Sequence, residues 1–306
     1  MLISRPVGET CRGGPLWPPL SANRLSGLDN PHVTPSASLR VGVVGFIGDS
    51  GPAATAALRK ALSTDERVSP IEPEQIRPAG DGVGYSGSIN MTLEEARRLG
   101  SAIGCDFFIV GKAEALMRSE QKMETHGEAI IGVMVVDGRS GRLVLFHLIR
   151  EKAPASEAAL ERATTTLVGC AQGFVGRMEQ HQKARIAAPA PPGPEGGRST
   201  ELIEDIPEAG SPKSAGFAPP QFLNRVKPDY TAEADLAGIA ATVEAMAVFK
   251  ANGEVGEIEI TRWAGYGLDE SAERAIRGLK FKPATRSGRA ISVRALIRYN
   301  FKVNSK

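Results

Sequence analysis

Across residues 291–303 apolar and polar side chains alternate, with Ile291, Val293, Ala295, Ile297, Tyr299, Phe301 and Val303 in one set. Period two over that length commits the segment to a β-strand with one buried face, because successive side chains of a strand point to opposite sides. Arg294, Arg298 and Lys302 fall in the other set. A strand of this kind needs sheet neighbours and a layer to cover its apolar face.

Upstream segments supply both. Residues 241–250 alternate with Val243, Ala245, Ala247 and Phe249 in phase, Asn252-Gly253 is a tight-turn pair, and 255–262 returns with Ile258 and Ile260 facing in. Residues 268–278 read as a helix, with Asp269 and Glu270 in the first turn and Arg274 and Arg277 toward its end, as the helix dipole favours. The end of the chain is therefore expected as an antiparallel sheet with one helix on its apolar side.

Proline sets the boundaries. Of 21 prolines, six lie in residues 1–38 and eight in 187–220. Such Pro- and Gly-rich tracts bury too little apolar surface to offset the entropy of ordering them. The sequence thus predicts a disordered lead (1–38), a first domain (39–186), an acidic linker (187–220) carrying Glu204, Asp205 and Glu208, and a second domain (221–306).

In the first domain, strands are expected at 40–46, 68–71 and 106–111. A helix runs from Pro52 to about 62, and Thr92 with Glu95 forms a capping box that opens a second helix to 103. A hairpin of 127–136 and 142–151 turns at DGRSG, and a long helix follows over 156–184. That order indicates an α/β sandwich, and the whole chain is of the α+β class.

Little in the sequence carries reaction chemistry. The four histidines have no metal-ligand spacing, and there is no GxSxG, HExxH or P-loop pattern, so no catalytic residue, metal or cofactor is expected. The Gly-rich turn over 42–51 leaves nucleotide or phosphate binding at 45–51 as a weaker alternative. The longest apolar run, 129–136, is far short of the roughly 20 residues of a membrane helix, and residues 1–38 contain no signal-peptide apolar core.

Charge is more telling. The formal net charge is only +2, yet from Arg274 to the end there are ten Lys or Arg and no acid. A basic end suits an anionic partner, such as an acidic peptide or a cell-wall polymer. Nucleic acid is not expected, since only Tyr299 and Trp263 offer nearby aromatic rings. A long terminal strand at a sheet edge also offers its backbone to an extended segment of another protein or to its own copy. Arg289, Arg294, Arg298, Tyr299 and Lys302 are the expected partner-binding residues.

The second domain resembles the TonB carboxy-terminal domain, the receptor-binding module of periplasmic energy transducers. Carrying the likeness are Pro228, Tyr230, Ala234, Gly238-Ile239, Asn252-Gly253 with Val255, Gly265 ahead of Leu268-Asp269, and the run LDESAERAIRGLKFKPATRSGRAI with Phe281, Pro283 and Gly288, then Phe301. Thr231, Ala241 and Trp263-Ala264 depart from the family pattern. The resemblance implies mainly structural roles for Tyr230, Gly253, Gly265, Leu268, Asp269, Phe281, Pro283, Gly288 and Phe301. It also implies strand addition by outer-membrane receptor segments, a periplasmic or envelope location, a part in energy-coupled transport, and hence an export signal or anchor. The first domain resembles the envelope domains of curli-assembly lipoproteins and the amino end of TolB, on RVGVVGF, AIGCDFFIVGKAEAL and DGRSGRLVLF. A homodimeric envelope scaffold is the alternative reading.

Overall fold

The computed structural model describes residues 38–120, 123–187, 203–208 and 210–303. They divide into two compact units, one formed by the residues to Gly87 with Ala96–Arg185, the other by Ser88–Glu95 with the residues from Ile186. The expected lead, and the linker over 188–202, lie outside the described residues.

In the first unit, β1 (Leu39–Ile47), α1 (Gly51–Leu62), β2 (Val68–Pro70), α2 (Pro73–Gly82), α3 (Leu93–Ile103) from Ala96 on, β3 (Phe107–Glu120), β4 (Met123–Asp137), β5 (Leu143–Ala153) and α4 (Ser156–Ala187) as far as Arg185 follow in order. The sheet runs β2-β1-β3-β4-β5, parallel across its first three strands and antiparallel through the β3-β4-β5 meander. One face carries Val41, Val43, Phe107, Ile109, Ile131 and Val133 against Leu58 and Leu62 of α1 and Leu167, Phe174 and Met178 of α4. Fully burying side chains of this size stabilises by roughly 1.5–3 kcal/mol each. On the other face Gly42 lies against Ile76 of α2 and Ile103 of α3, so helices cover both sides of β1.

The turn from β1 into α1 explains its own glycines. A Cβ on Gly51 would sit 2.1 Å from the Phe46 carbonyl oxygen, and the Ser50 N–H donates to the Ala113 carbonyl. A Cβ on Gly48 would sit 2.5 Å from the Ala113 carbonyl oxygen, so these glycines serve close backbone packing against β1 and β3. The Thr92–Glu95 capping box forms in both directions, at 2.7 and 3.1 Å. At the hairpin turn, buried Asp137 accepts from the N–H groups of Arg139 and Ser140, and from His181 and Arg185 of α4 at 2.9 Å each.

The second unit holds β6 (Ile203–Asp205), β7 (Phe217–Ala218), β8 (Gln221–Phe222), α5 (Ala232–Leu236), β9 (Ala241–Phe249), β10 (Val255–Arg262), α6 (Leu268–Arg277), β11 (Phe281–Lys282), β12 (Ala284–Arg286) and β13 (Arg289–Phe301). Its main sheet runs β10-β9-β13-β12-β7, with β6 added beside β13. Val243, Ala247 and Phe249 of β9 and Val293 of β13 are buried on the face beneath α6, whose Leu268, Ala272 and Ile276 are also buried. Phe222, Phe249 and Phe281 meet in T-shaped and tilted contacts with centroids 4.9–6.4 Å apart, tying the small β8-β11 ladder to β9. Two of these strands, β6 and β7, come from the tract expected as linker.

Candidate functional site

The terminal strand β13 organises this unit because it pairs on both sides. Along one side, Val293 to Phe301 are in antiparallel register with Phe249 to Ala241 of β9. Along the other, Arg289–Ile291 pair with β12 and Ser292–Arg294 pair in parallel with Ile203–Asp205 of β6. From Ala295 to Phe301, no strand among the described residues pairs with that second side. Seven residues of sheet edge are thus left without a ladder.

The expected partner-binding residues divide between the two faces. Arg294 and Arg298 point outward from β13, Lys302 is exposed just beyond its end, and Leu296 between the arginines is 49% exposed. Arg289 is exposed where β13 begins, opposite Arg286. Tyr299 lies on the inward face instead, half-buried, its hydroxyl donating to the Val226 carbonyl at 3.2 Å. Burial raises its phenol above the ordinary range. The structure gives Tyr299 a packing role there and spaces the cations Arg294, Arg298 and Lys302 four residues apart along the outward side.

Not every cation keeps its charge for a partner. Arg298 forms an ion pair with Glu244 of β9 at 2.7 Å, and Arg262 of β10 lies 3.7 Å from the same carboxylate. With Thr242 and Asn300 these residues line an open polar cleft of about 300 Å³. Arg294 and Lys302 form no ion pair among the described residues. Arg286 of β12, which sequence reasoning passed over, holds Glu204 of β6 by two hydrogen bonds of 2.9 and 2.6 Å and lies 5.5 Å from the Phe217 ring centroid. The acidic bias of that tract was the available signal, and Ile203 and Ile206 beside it are its apolar markers.

The family-motif residues build the support. Tyr230 places its hydroxyl 2.9 Å from the Ile239 carbonyl and 3.1 Å from that of Ala234, closing the turn into β9. Thr231 caps α5 by accepting from the Ala234 N–H and donates to the Tyr266 carbonyl, so this departure from the family pattern is locally satisfied. Asp269, 3% exposed, accepts from the N–H groups of Ala264 and Gly265 at 2.8 Å each. Burial pushes its carboxyl up to about 7, a rise those two donors only partly offset. Leu268, Phe281 and Phe301 are buried, and Pro283 is half-buried between β11 and β12. Gly253 adopts φ 87° in the β9-β10 turn, where its N–H returns to the Lys250 carbonyl. Gly288 turns the chain from β12 into β13.

Comparison with known proteins bears on the later part of this unit. Residues 226–303 match the family model described as the Gram-negative bacterial TonB protein C-terminal. Among solved structures, the chain is similar to the TonB C-terminal domain of Pseudomonas aeruginosa, at 20% identity over 29% of this chain and 91% of that one, with a TM-score of 0.26. It is also similar to a hypothetical protein from Chlamydia trachomatis (13% identity, 45% and 98% coverage, TM-score 0.33). The LpoB C-terminal domain from Salmonella enterica gives 13% identity, 38% and 84% coverage, and a TM-score of 0.29. No curated protein matches the sequence.

Proposed function

We propose that this chain, whose residues 226–303 are a TonB C-terminal domain, is a cell-envelope protein that binds partner proteins by taking an extended segment onto the outer edge of β13. The carrying observation is the stretch from Ala295 to Phe301, which is fixed on one side by β9 and has no strand among the described residues on the other. An edge held straight by a complete ladder presents its unused N–H and C=O groups at strand spacing, so an incoming segment gains main-chain hydrogen bonds without reorganising the sheet. Outward-facing Leu296, with Arg294 and Lys302 on either side, offers one apolar and two cationic contacts to alternate side chains of that segment. On this reading the partners are periplasmic segments of outer-membrane receptors, and the process served is energy-coupled transport.

Hydrogen exchange on the full chain tests this, with peptides from the periplasmic amino-terminal segments of outer-membrane receptors as probes. Slowed exchange confined to the amides of residues 295–301 that face away from β9 is the expected result. Binding that protects some other surface, or no binding by any receptor segment, overturns it. Protection that grows with protein concentration, together with a doubled mass by light scattering, replaces it with pairing between two copies.

A further inference from the structure

The edge offered to a partner is not empty along its whole length. Ile203–Asp205 lie beside Ser292–Arg294 in parallel register, at the point where the unpaired stretch of β13 begins. An incoming strand that runs parallel to β13 along Ala295 to Phe301 meets, at its own amino end, the carboxyl end of β6.

The hold on β6 is polar and local. Its main contacts are the three-residue parallel ladder and the paired hydrogen bonds from Arg286 to Glu204. Its apolar side chains bury little: Ile203 is 41% exposed and Ile206, just after it, 40%. Asp205 is in register with Arg294, which places an acid beside one of the two cations that make no ion pair among the described residues. A segment held by a short ladder and one half-exposed ion pair, with little apolar burial, opens more readily than the sheet it sits on. The sheet itself is anchored by Phe249, Val293 and Phe301, all buried.

We propose that β6 is a built-in occupant of the partner edge: an acidic extended segment of the chain that fills the start of the binding track and is displaced when a partner strand arrives. The proposal rests on the strand-addition reading and adds two features to it. The favoured partner runs parallel to β13, as β6 does, and it carries a carboxylate where Glu204 stands, so that Arg286 exchanges one acid for another. Affinity is then set partly by how often β6 is away, since an occupied edge lowers apparent affinity by the fraction of time the edge is free.

The test uses the full chain and a labelled peptide of its own residues 201–208, ELIEDIPE. Ile203→Pro removes the N–H that a ladder needs and disfavours re-pairing of β6. Glu204→Ala with Asp205→Ala is a second route that leaves the backbone intact. In either variant, exchange at Ser292–Arg294 is expected to quicken with circular dichroism unchanged. Peptide affinity is expected to rise about tenfold over the parent chain, as for an edge that β6 leaves free about one tenth of the time. Adding Arg286→Ala to the double-alanine variant is expected to cancel most of that gain.

Two results overturn the proposal. Equal, tight peptide binding by parent and variants, with protection at 295–301, removes the occupant and leaves strand addition standing. No peptide binding by variants whose edge exchanges freely also overturns it. If receptor segments then fail on the same variants, strand addition falls as well.

Discussion

Two buried aspartates sit in this protein with opposite electrostatic settings, and each gives its unit a different response to acid. For Asp137, burial alone raises the carboxyl, but the His181 hydrogen bond, the Ser140 and Arg139 N–H groups and the Arg185 charge outweigh it and hold the group well below the usual range. The unfolded chain therefore binds the proton first as pH falls. The stability Asp137 contributes is complete above its unfolded value near 3.9 and is lost as pH drops toward the folded value. Asp269 has the reverse sign, because its folded value is up to about 7. There the folded state holds the proton longer, so its contribution is greatest below about pH 4 and declines as pH rises through about 7. Denaturant melts between pH 3 and 8 check both. Asp137→Asn is expected to cost about 2 kcal/mol at neutral pH and to flatten the acid limb. Asp269→Asn is expected to cost about 1–3 kcal/mol, since an amide has only one acceptor oxygen for two N–H donors, and to remove the decline between pH 4 and 7. An unchanged pH profile in either variant refutes the assignment for that residue.

At the scale of elements, what the sequence disclosed and what it hid follow one rule. Strands with period-two alternation under a helix, β9, β10 and β13, are legible almost to their ends, as is α6 with its acidic first turn and basic last turn. β3 was expected to stop at 111 but runs to Glu120, through KAEALMRSE, a stretch of good helix formers. Pairing with β4 from Lys112 through Arg118 overrides that local preference, and nothing within the segment announces its partner. α2 was hidden by Pro78 and two glycines inside it. The short strands β6, β7, β8 and β12 have no periodicity to read, because a strand of two or three residues exists only through its neighbour. The Glu204–Arg286 contact spans 82 positions and was invisible for the same reason. Gly111 shows how closely the long strands are fitted: a Cβ there would lie 2.1 Å from the Gly132 carbonyl oxygen and 2.5 Å from the Phe46 ring. Gly111→Ala is therefore expected to destabilise the first unit by about 1–3 kcal/mol, measured as a lower urea midpoint. A variant as stable as the parent would mean that β3 and β4 are not locked at this distance.

Taken as a whole molecule, the chain is nearly neutral at +2, but the stretch from Arg274 to the end carries ten Lys or Arg and no acid, and this sets how an acidic partner should feel it. A near-neutral total gives little long-range steering, so attraction comes from charges within about a Debye length of the β13 edge, roughly 8–10 Å at physiological salt. The cations there are not equivalent. Glu244 already neutralises Arg298 at 2.7 Å and Glu204 already engages Arg286, whereas Arg294 and Lys302 face outward and make no ion pair among the described residues. Binding of an acidic extended peptide to the full chain is expected to weaken severalfold between about 50 and 300 mM salt, mainly through a slower association rate. A peptide with its acids changed to glutamine should show little of that dependence. Arg294→Glu and Lys302→Glu should each reduce the salt response. Arg298→Ala should change it less, because it removes one charge where each reversal changes two, and Glu244 keeps Arg262 at 3.7 Å as a partner. Surface plasmon resonance across a salt series separates these effects. Salt-independent binding, or a larger change in salt response from Arg298→Ala than from Arg294→Glu, would show that the partner does not read the outward cations of β13.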